Sequence, residues 1–334
     1  MKPDTVEISA KDKIESPQKK GMSTGAKWTL GVLGGAATIY GCVVGHRAFN
    51  KPSLEKVAKN FSEIFRRDIS KEEAQKLAEK YKEIFSIKDK AEFCKKIYEQ
   101  IKRDYGYENA NIPLLFENLG GANKNGLTVK AHWNPFDANV AINTEFLKIY
   151  GEKLNKKAQQ NIMNTLLHEF QHVKQSEYVF RTNADKYLDD LCSDIRSPEE
   201  LLDCLTKYRK DMSDELLKSR VVNFKTKEQV ESFIDKAIIK LKDGPYKSDS
   251  LIVDVIAELK NDRQRPVKSI FDKLEKFKPD SKEYKQGLSY LECYKTYNNQ
   301  NMEIYNNAII EKEAFATADK IENMYNYISS IWRL

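Results

Sequence analysis

The chain has 334 residues, 40% of them hydrophobic and 32% charged, which leaves room for one large or two ordinary domains and points to a globular body with heavily charged outer faces. A net charge of +6 is spread through interspersed acidic and basic residues, and no basic cluster interleaved with aromatics occurs beyond pairs such as Lys19 and Lys20; a nucleic-acid partner is not expected. The five cysteines, Cys42, Cys94, Cys192, Cys204 and Cys293, are odd in number and lack C-x-x-C spacing, so they indicate neither a disulfide framework nor a structural zinc knuckle.

Residues 1–27 are polar, carry Pro3 and Pro17, and read as a disordered tail. No charge occurs from Trp28 to Gly45 (WTLGVLGGAATIYGCVVG). As a helix this stretch reaches about 27 Å, the short end of a bilayer span. Gly31/Gly35 and Gly41/Gly45 have the G-x-x-x-G spacing that lets membrane helices approach closely. A single-pass membrane segment over 28–45 is expected. The rivals are a buried glycine-rich helix and a cleaved signal, for which Ile39 to Cys42 faintly resembles a lipoprotein box with Tyr40 fitting poorly. Lys13, Lys19, Lys20 and Lys27 balance Arg47, Lys51, Lys56 and Lys59, so the orientation stays open.

Residues 46–105 are expected to be helical. Ser70 to Glu73 has the form of a capping box before a helix carrying Ala74, Leu77 and Tyr81, and Phe93, Ile97 and Ile101 mark another. This reads as a helical prelude with no visible chemistry. Between Gly106 and Asn143, Asn, Gly and Pro punctuate short extended pieces, Leu127 to Trp133 and Asn139 to Asn143, joined through Asn134-Pro135 as a hairpin. A small antiparallel sheet is the expectation.

Asn161 to Gln175 (NIMNTLLHEFQHVKQ) carries His168-Glu169-Phe170-Gln171-His172. Histidines four apart on a helix stand one turn above each other, so both imidazoles can reach one tetrahedral Zn²⁺ while the glutamate between them addresses a water. The periodicity agrees with a helix: Ile162, Met163, Leu166, Leu167, Phe170 and Val173 form one apolar stripe, and both histidines fall opposite it. Asn161, Thr165, Gln171, Gln175 and Ser176 share the histidine side and are uncharged, which reads as the lining of a cleft. The plain alternative is a chance match on a surface helix. Against it, the chain has four histidines and two of them lie in these five residues.

Residues 181–300 read as an array of charged amphipathic helices, with Ser197-Pro198-Glu199-Glu200 and Thr226 to Gln229 as helix starts and Gly244-Pro245 as a break. Residues 301–334 form a last helical segment whose apolar stripe is Ile310, Ala314, Ala318, Ile321, Tyr325, Ile328 and Trp332.

A third zinc ligand is needed. Gln175 and Tyr178 stand where a metzincin places its glycine and third histidine, so that class is excluded. The remaining histidines are His46, in the apolar segment, and His132, on a strand, which favours a carboxylate. The stretch Glu311-Lys312-Glu313-Ala314-Phe315-Ala316, taken with the H-E-x-x-H helix, resembles the gluzincin class of zinc metallopeptidases, in which a second helix bearing E-x-E-A or E-x-x-A supplies that ligand. The resemblance covers about 50 residues in two blocks plus the strand pair and is specific for H-E-x-x-H alone. It implies an α+β, predominantly helical, zincin-like core over 106–180 and 301–334 with 181–300 inserted. Glu311 lies ~60° from the centre of the apolar stripe and Glu313 ~100° away, so Glu311 is preferred and Glu313 kept as the alternative. Many members carry an acid four residues beyond the ligand; here Phe315 or Thr317 stands there.

The resemblance further implies a zinc peptidase in which His168, His172 and Glu311 hold Zn²⁺, Glu169 is the general base, Tyr305 or Tyr178 stabilises an oxyanion, and Asn139 to Asn143 is the edge strand along which a peptide or protein substrate pairs. Two readings stand against it. One is another zinc hydrolase or a relative keeping the metal for structure, and the other is a membrane-tethered helical scaffold with an accidental motif.

Overall fold

The computed structural model describes residues 53–120, 129–195, 197–218, 224–243, 250–296 and 308–331. The expected membrane segment at 28–45, His46 and Tyr305 lie outside them, and among the described residues no helix is long and apolar enough to cross a membrane. The described residues divide into two compact units: one holds those of 53–133, Asn139–Lys174 and 308–331, and the other Asn134–Ala138 and those of Gln175–Thr296.

In the first unit, α1 (Leu54–Phe65), α2 (Lys71–Ser86) and α3 (Lys90–Asp104) begin where their sequences dictate. Ser53, Ser70 and Asp89 adopt extended backbone, and their side chains accept from the N–H groups of Lys56, Glu73 and Glu92, satisfying donors that a helix start leaves open. Helix α1 ends in a left-handed turn at Arg66, φ 53°, where the Arg66 N–H and then the Arg67 N–H return to Ser62 O. The apolar faces of α1 to α3 meet in an aromatic core: Phe61 stacks between Phe65 and Tyr81, and Phe65 meets Tyr105 edge-on at 5.2 Å.

Three strands follow, β1 (Leu114–Glu117), β2 (Ala131–Asn134) and β3 (Asn139–Asn143), ordered β1-β3-β2. The sheet is mixed rather than antiparallel as expected, because β1 runs parallel to β3 with Leu114 opposite Val140. β1 hides in the sequence: it is four residues long, framed by Pro113 and Asn118, and pairs with a strand distant along the chain. Asn139 to Asn143 is correspondingly the central strand, buried at every residue, and not the edge strand that the resemblance implied. Asn143 closes this region: its Oδ1 accepts from Glu145 N–H to start α4 (Thr144–Lys148), and its Nδ2 donates to Val129 O and Gly120 O.

Helix α5 (Lys156–Leu191) carries the H-E-x-x-H motif in its first half and breaks at Asn183 (φ −154°, ψ 81°), whose side chain caps the restart by accepting from Lys186 N–H. In the second unit it continues beside α6 (Pro198–Lys207), α7 (Arg209–Lys218), α8 (Lys227–Asp243), α9 (Ser250–Phe271) and α10 (Lys282–Thr296). Ser197 and Glu200 form the full capping box expected of them. The core is aliphatic, with Leu201, Leu205, Leu216, Val230, Ile234 and Leu259 among its members. Cys192 and Cys204 are both free thiols. The buried Arg263 guanidinium forks onto Glu215 and also binds Asp194 at 2.6 Å. The last helix, α11 (Ile309–Ile331), returns to the first unit and packs along α1 and α2.

Two stability effects follow from this packing. Gly287 of α10 faces α5 so closely that a Cβ there would lie 2.7 Å from Tyr178 O and collide with the Thr182 side chain. Gly287→Ala is therefore expected to lower stability by ~1–3 kcal/mol even though alanine favours helix, as thermal unfolding would read; an unchanged or raised melting temperature would contradict the close approach.

The second concerns Asp104, whose buried carboxyl accepts from Tyr81 OH at 2.7 Å and Gln100 Nε2 at 2.8 Å, and which burial holds at about 6, above the ordinary 3.8. Between those values the folded chain keeps a proton that the unfolded chain has lost, so the contribution of this carboxyl to stability is full below the lower one and is lost as pH rises towards 6. The decline is on the order of 2–3 kcal/mol. Urea unfolding of Asp104→Asn should show a flatter pH profile than the parent, and parallel profiles would remove the effect.

Candidate metal centre

The motif helix is oriented by what its apolar side buries. Ile162, Met163, Leu166, Leu167, Phe170 and Val173 are all fully buried. Phe170, between Glu169 and Gln171, is gripped by the rings of Tyr98 at 5.3 Å, Tyr105 at 5.5 Å and Tyr107 at 6.4 Å. Each such pair adds roughly 0.5–1.5 kcal/mol beyond area burial, so rotating the helix would cost several contacts at once. With Phe170 fixed inward, His168 and His172 turn outward, their side chains 18% and 15% exposed.

The uncharged histidine side of α5 is only partly a lining. Asn161 and Thr165 are half-buried, whereas Gln171, Gln175 and Ser176 are buried outright, a correction to their expected place in a cleft. Gln171 is held in the core: its Nε2 donates to Ile64 O at 3.0 Å and to Tyr105 OH. Those positions lack charge because neighbouring structure covers them. A lysine or glutamate there would be buried with its charge, at a cost of several kcal/mol.

Against the histidine pair lies the first turn of α11. Glu311 is 2% exposed, and its Oε2 is 3.4 Å from His168 Nε2 and its Oε1 3.5 Å from His172 Nε2. The two Nε2 atoms are 3.1 Å apart. Each imidazole thus faces its own carboxylate oxygen at a separation close to the about 3.3–3.4 Å between ligands of an ion with bonds of about 2.0–2.1 Å, and one ligand atom from each of the three residues lies within 4.8 Å of the others. His168, His172 and Glu311 could therefore hold a metal ion, and they are the single such group among the described residues. Glu313 is turned away, its Oε2 2.7 Å from Arg66 Nη2, and His132, on β2, stands outside the group.

Glu169 is buried, and its Oε2 accepts from Trp133 N–H at 2.8 Å. Burial, and secondarily the charge of Glu311, raise its carboxyl to about 7; His172 and the Trp133 N–H act in the opposite direction. β2 is an outer strand, so Trp133 has a backbone donor to spare for this contact. A main-chain donor has no side-chain signature, and nothing in the sequence marks this one.

Phe315, at the place where the resemblance would put an orienting acid, instead lays its ring 4.9 Å from the His168 ring. Tyr178 packs its ring against Phe277 at 5.0 Å and Tyr290 at 6.1 Å. Tyr305 lies outside the described residues. Comparison with protein-family models, with curated proteins and with solved structures finds no match to this chain.

Proposed function

We propose that the protein is a zinc-dependent metallopeptidase of gluzincin type, tethered to a membrane through residues 28–45. The observation that carries this reading is the meeting of Glu311 with His168 and His172, whose ligand atoms lie within 4.8 Å of one another, beside a buried glutamate one residue from the first histidine. Zinc, when bound there, supplies a Lewis acid and brings the pKa of a water to about 7.

The chain's own residues do the rest. Glu169 is the general base. Its Oε2 is engaged by Trp133 N–H, so Oε1 is the oxygen that takes a proton from the attacking water and passes it to the leaving amine. Burial lifts this carboxyl to about 7 in the metal-free chain, and a cation held beside it would draw it down again and keep it ionised as a base near neutral pH. Trp133 N–H fixes the carboxylate, and the Phe170 cluster fixes the helix that presents it. An extended peptide would pair along the outer strand β2 rather than along β3, which is enclosed between its neighbours. Tyr305 or Tyr178 is the proposed electrophilic donor to the oxyanion.

The test is elemental analysis followed by turnover of a peptide library. About one zinc per chain and chelator-sensitive cleavage are expected. Zinc without cleavage of any peptide would leave a metal-holding protein of another kind, and absence of any bound transition metal would favour the helical scaffold.

A further inference from the structure

The C-terminal turn of α1 makes two hydrogen bonds that the chemistry above does not use. Ile64 O belongs to the last turn of that helix, where carbonyls have no partner within the helix, and it accepts from Gln171 Nε2 at 3.0 Å. Gln171 sits between Glu169 and His172 on the motif helix. Two residues after Ile64, the Arg66 guanidinium reaches Glu313 Oε2 at 2.7 Å, and Glu313 is two residues from Glu311. Arg66 and Glu313 are 14% and 30% exposed at their side chains. One helical turn thus holds both ligand-bearing helices, at positions adjacent to their ligands. A more exposed pair, Glu63 with Lys320 at 2.9 Å, joins the same turn to α11 further from the ligand.

The backbone of that turn favours a different residue. Arg66 adopts φ 53°, ψ 43°, the left-handed region in which helices commonly end on glycine and which a residue with a Cβ occupies at a cost. The strained position is held by a residue whose side chain reaches the ligand-bearing end of α11.

The geometry points to Arg66 as a positioning residue. The Ser62–Arg66 turn is a bracket that sets the distance between the motif helix and the Glu311 helix, and hence the affinity of the site for zinc. This rests on the metal reading proposed above. Arg66 acts through Glu313 and the register of α11. Its role accounts for the helical prelude that showed no chemistry in the sequence.

Arg66→Gly separates this role from a merely structural one. Glycine relieves the left-handed turn while the partly exposed ion pair is lost, so the melting temperature of the metal-free chain should stay within about 3 °C of the parent. Its zinc dissociation constant, measured by competition with a chromophoric chelator, should rise about 10- to 100-fold, the range usual for residues that orient ligands. The charge-swapped pair Arg66→Glu with Glu313→Arg should recover most of that loss, and Glu313→Ala alone should reproduce it. A parent chain that binds no zinc overturns the metal reading and the bracket together. A parent that binds zinc, with Arg66→Gly and Glu313→Ala binding equally well, overturns the bracket alone.

Discussion

Glu169→Gln is expected to retain one zinc per chain and lose peptide turnover by ~10²–10⁴-fold, the range that a positioned general base contributes. Glutamine is close to isosteric, and its amide oxygen can keep the bond from Trp133 N–H that Oε2 now accepts at 2.8 Å, so the helix and the histidine pair should be undisturbed. The amide cannot take a proton from water, and the loss should therefore fall on kcat with little change in KM. Turnover surviving the substitution would remove Glu169 as base while leaving the metal site standing.

Glu311→Ala is expected to weaken zinc binding by two to three orders of magnitude. Zinc binding energies of ~10–16 kcal/mol shared over three or four ligands put one ligand at roughly 3–4 kcal/mol. His168→Ala should behave alike. The informative contrast is Glu313→Ala: Glu313 shares the sequence pattern but bonds Arg66, so its removal should cost only the positioning effect, a loss of zinc affinity about tenfold smaller than removal of Glu311 causes. Titration with Co²⁺ or Zn²⁺ orders the variants, and equal losses at 311 and 313 would place the ligand wrongly.

Much of the site could be read from the sequence because helix geometry is local. The 3.6-residue period of Ile162, Met163, Leu166, Leu167, Phe170 and Val173 fixed which side of α5 would be buried, and all six are buried. The same period separated Glu311, at the margin of its apolar stripe, from the outward Glu313. Helix starts at Ser70 and Ser197 were legible because caps act over three residues.

The unread features depend on pairings across long stretches of chain. β1 has too few residues for a period, and its parallel partner is β3; without it the order of strands, and so the true edge, could not be assigned. Gln171 looked like a cleft residue because a buried polar side chain and a cleft-lining one share the same lack of charge, and its acceptor, Ile64 O, is more than a hundred residues earlier. Arg66 gave no sign, since arginine at a helix end is ordinary and its left-handed backbone has no marker in sequence.

The most direct measurement of the central claim is X-ray absorption at the zinc edge on the purified, zinc-loaded chain, with Glu311→Ala as its control. The account predicts one zinc per chain with nitrogen and oxygen ligands at about 2.0–2.2 Å, two imidazoles among them, and loss of an oxygen or of the metal in the variant. A sulfur shell at about 2.3 Å, or a spectrum and stoichiometry that Glu311→Ala leaves unchanged, would contradict it.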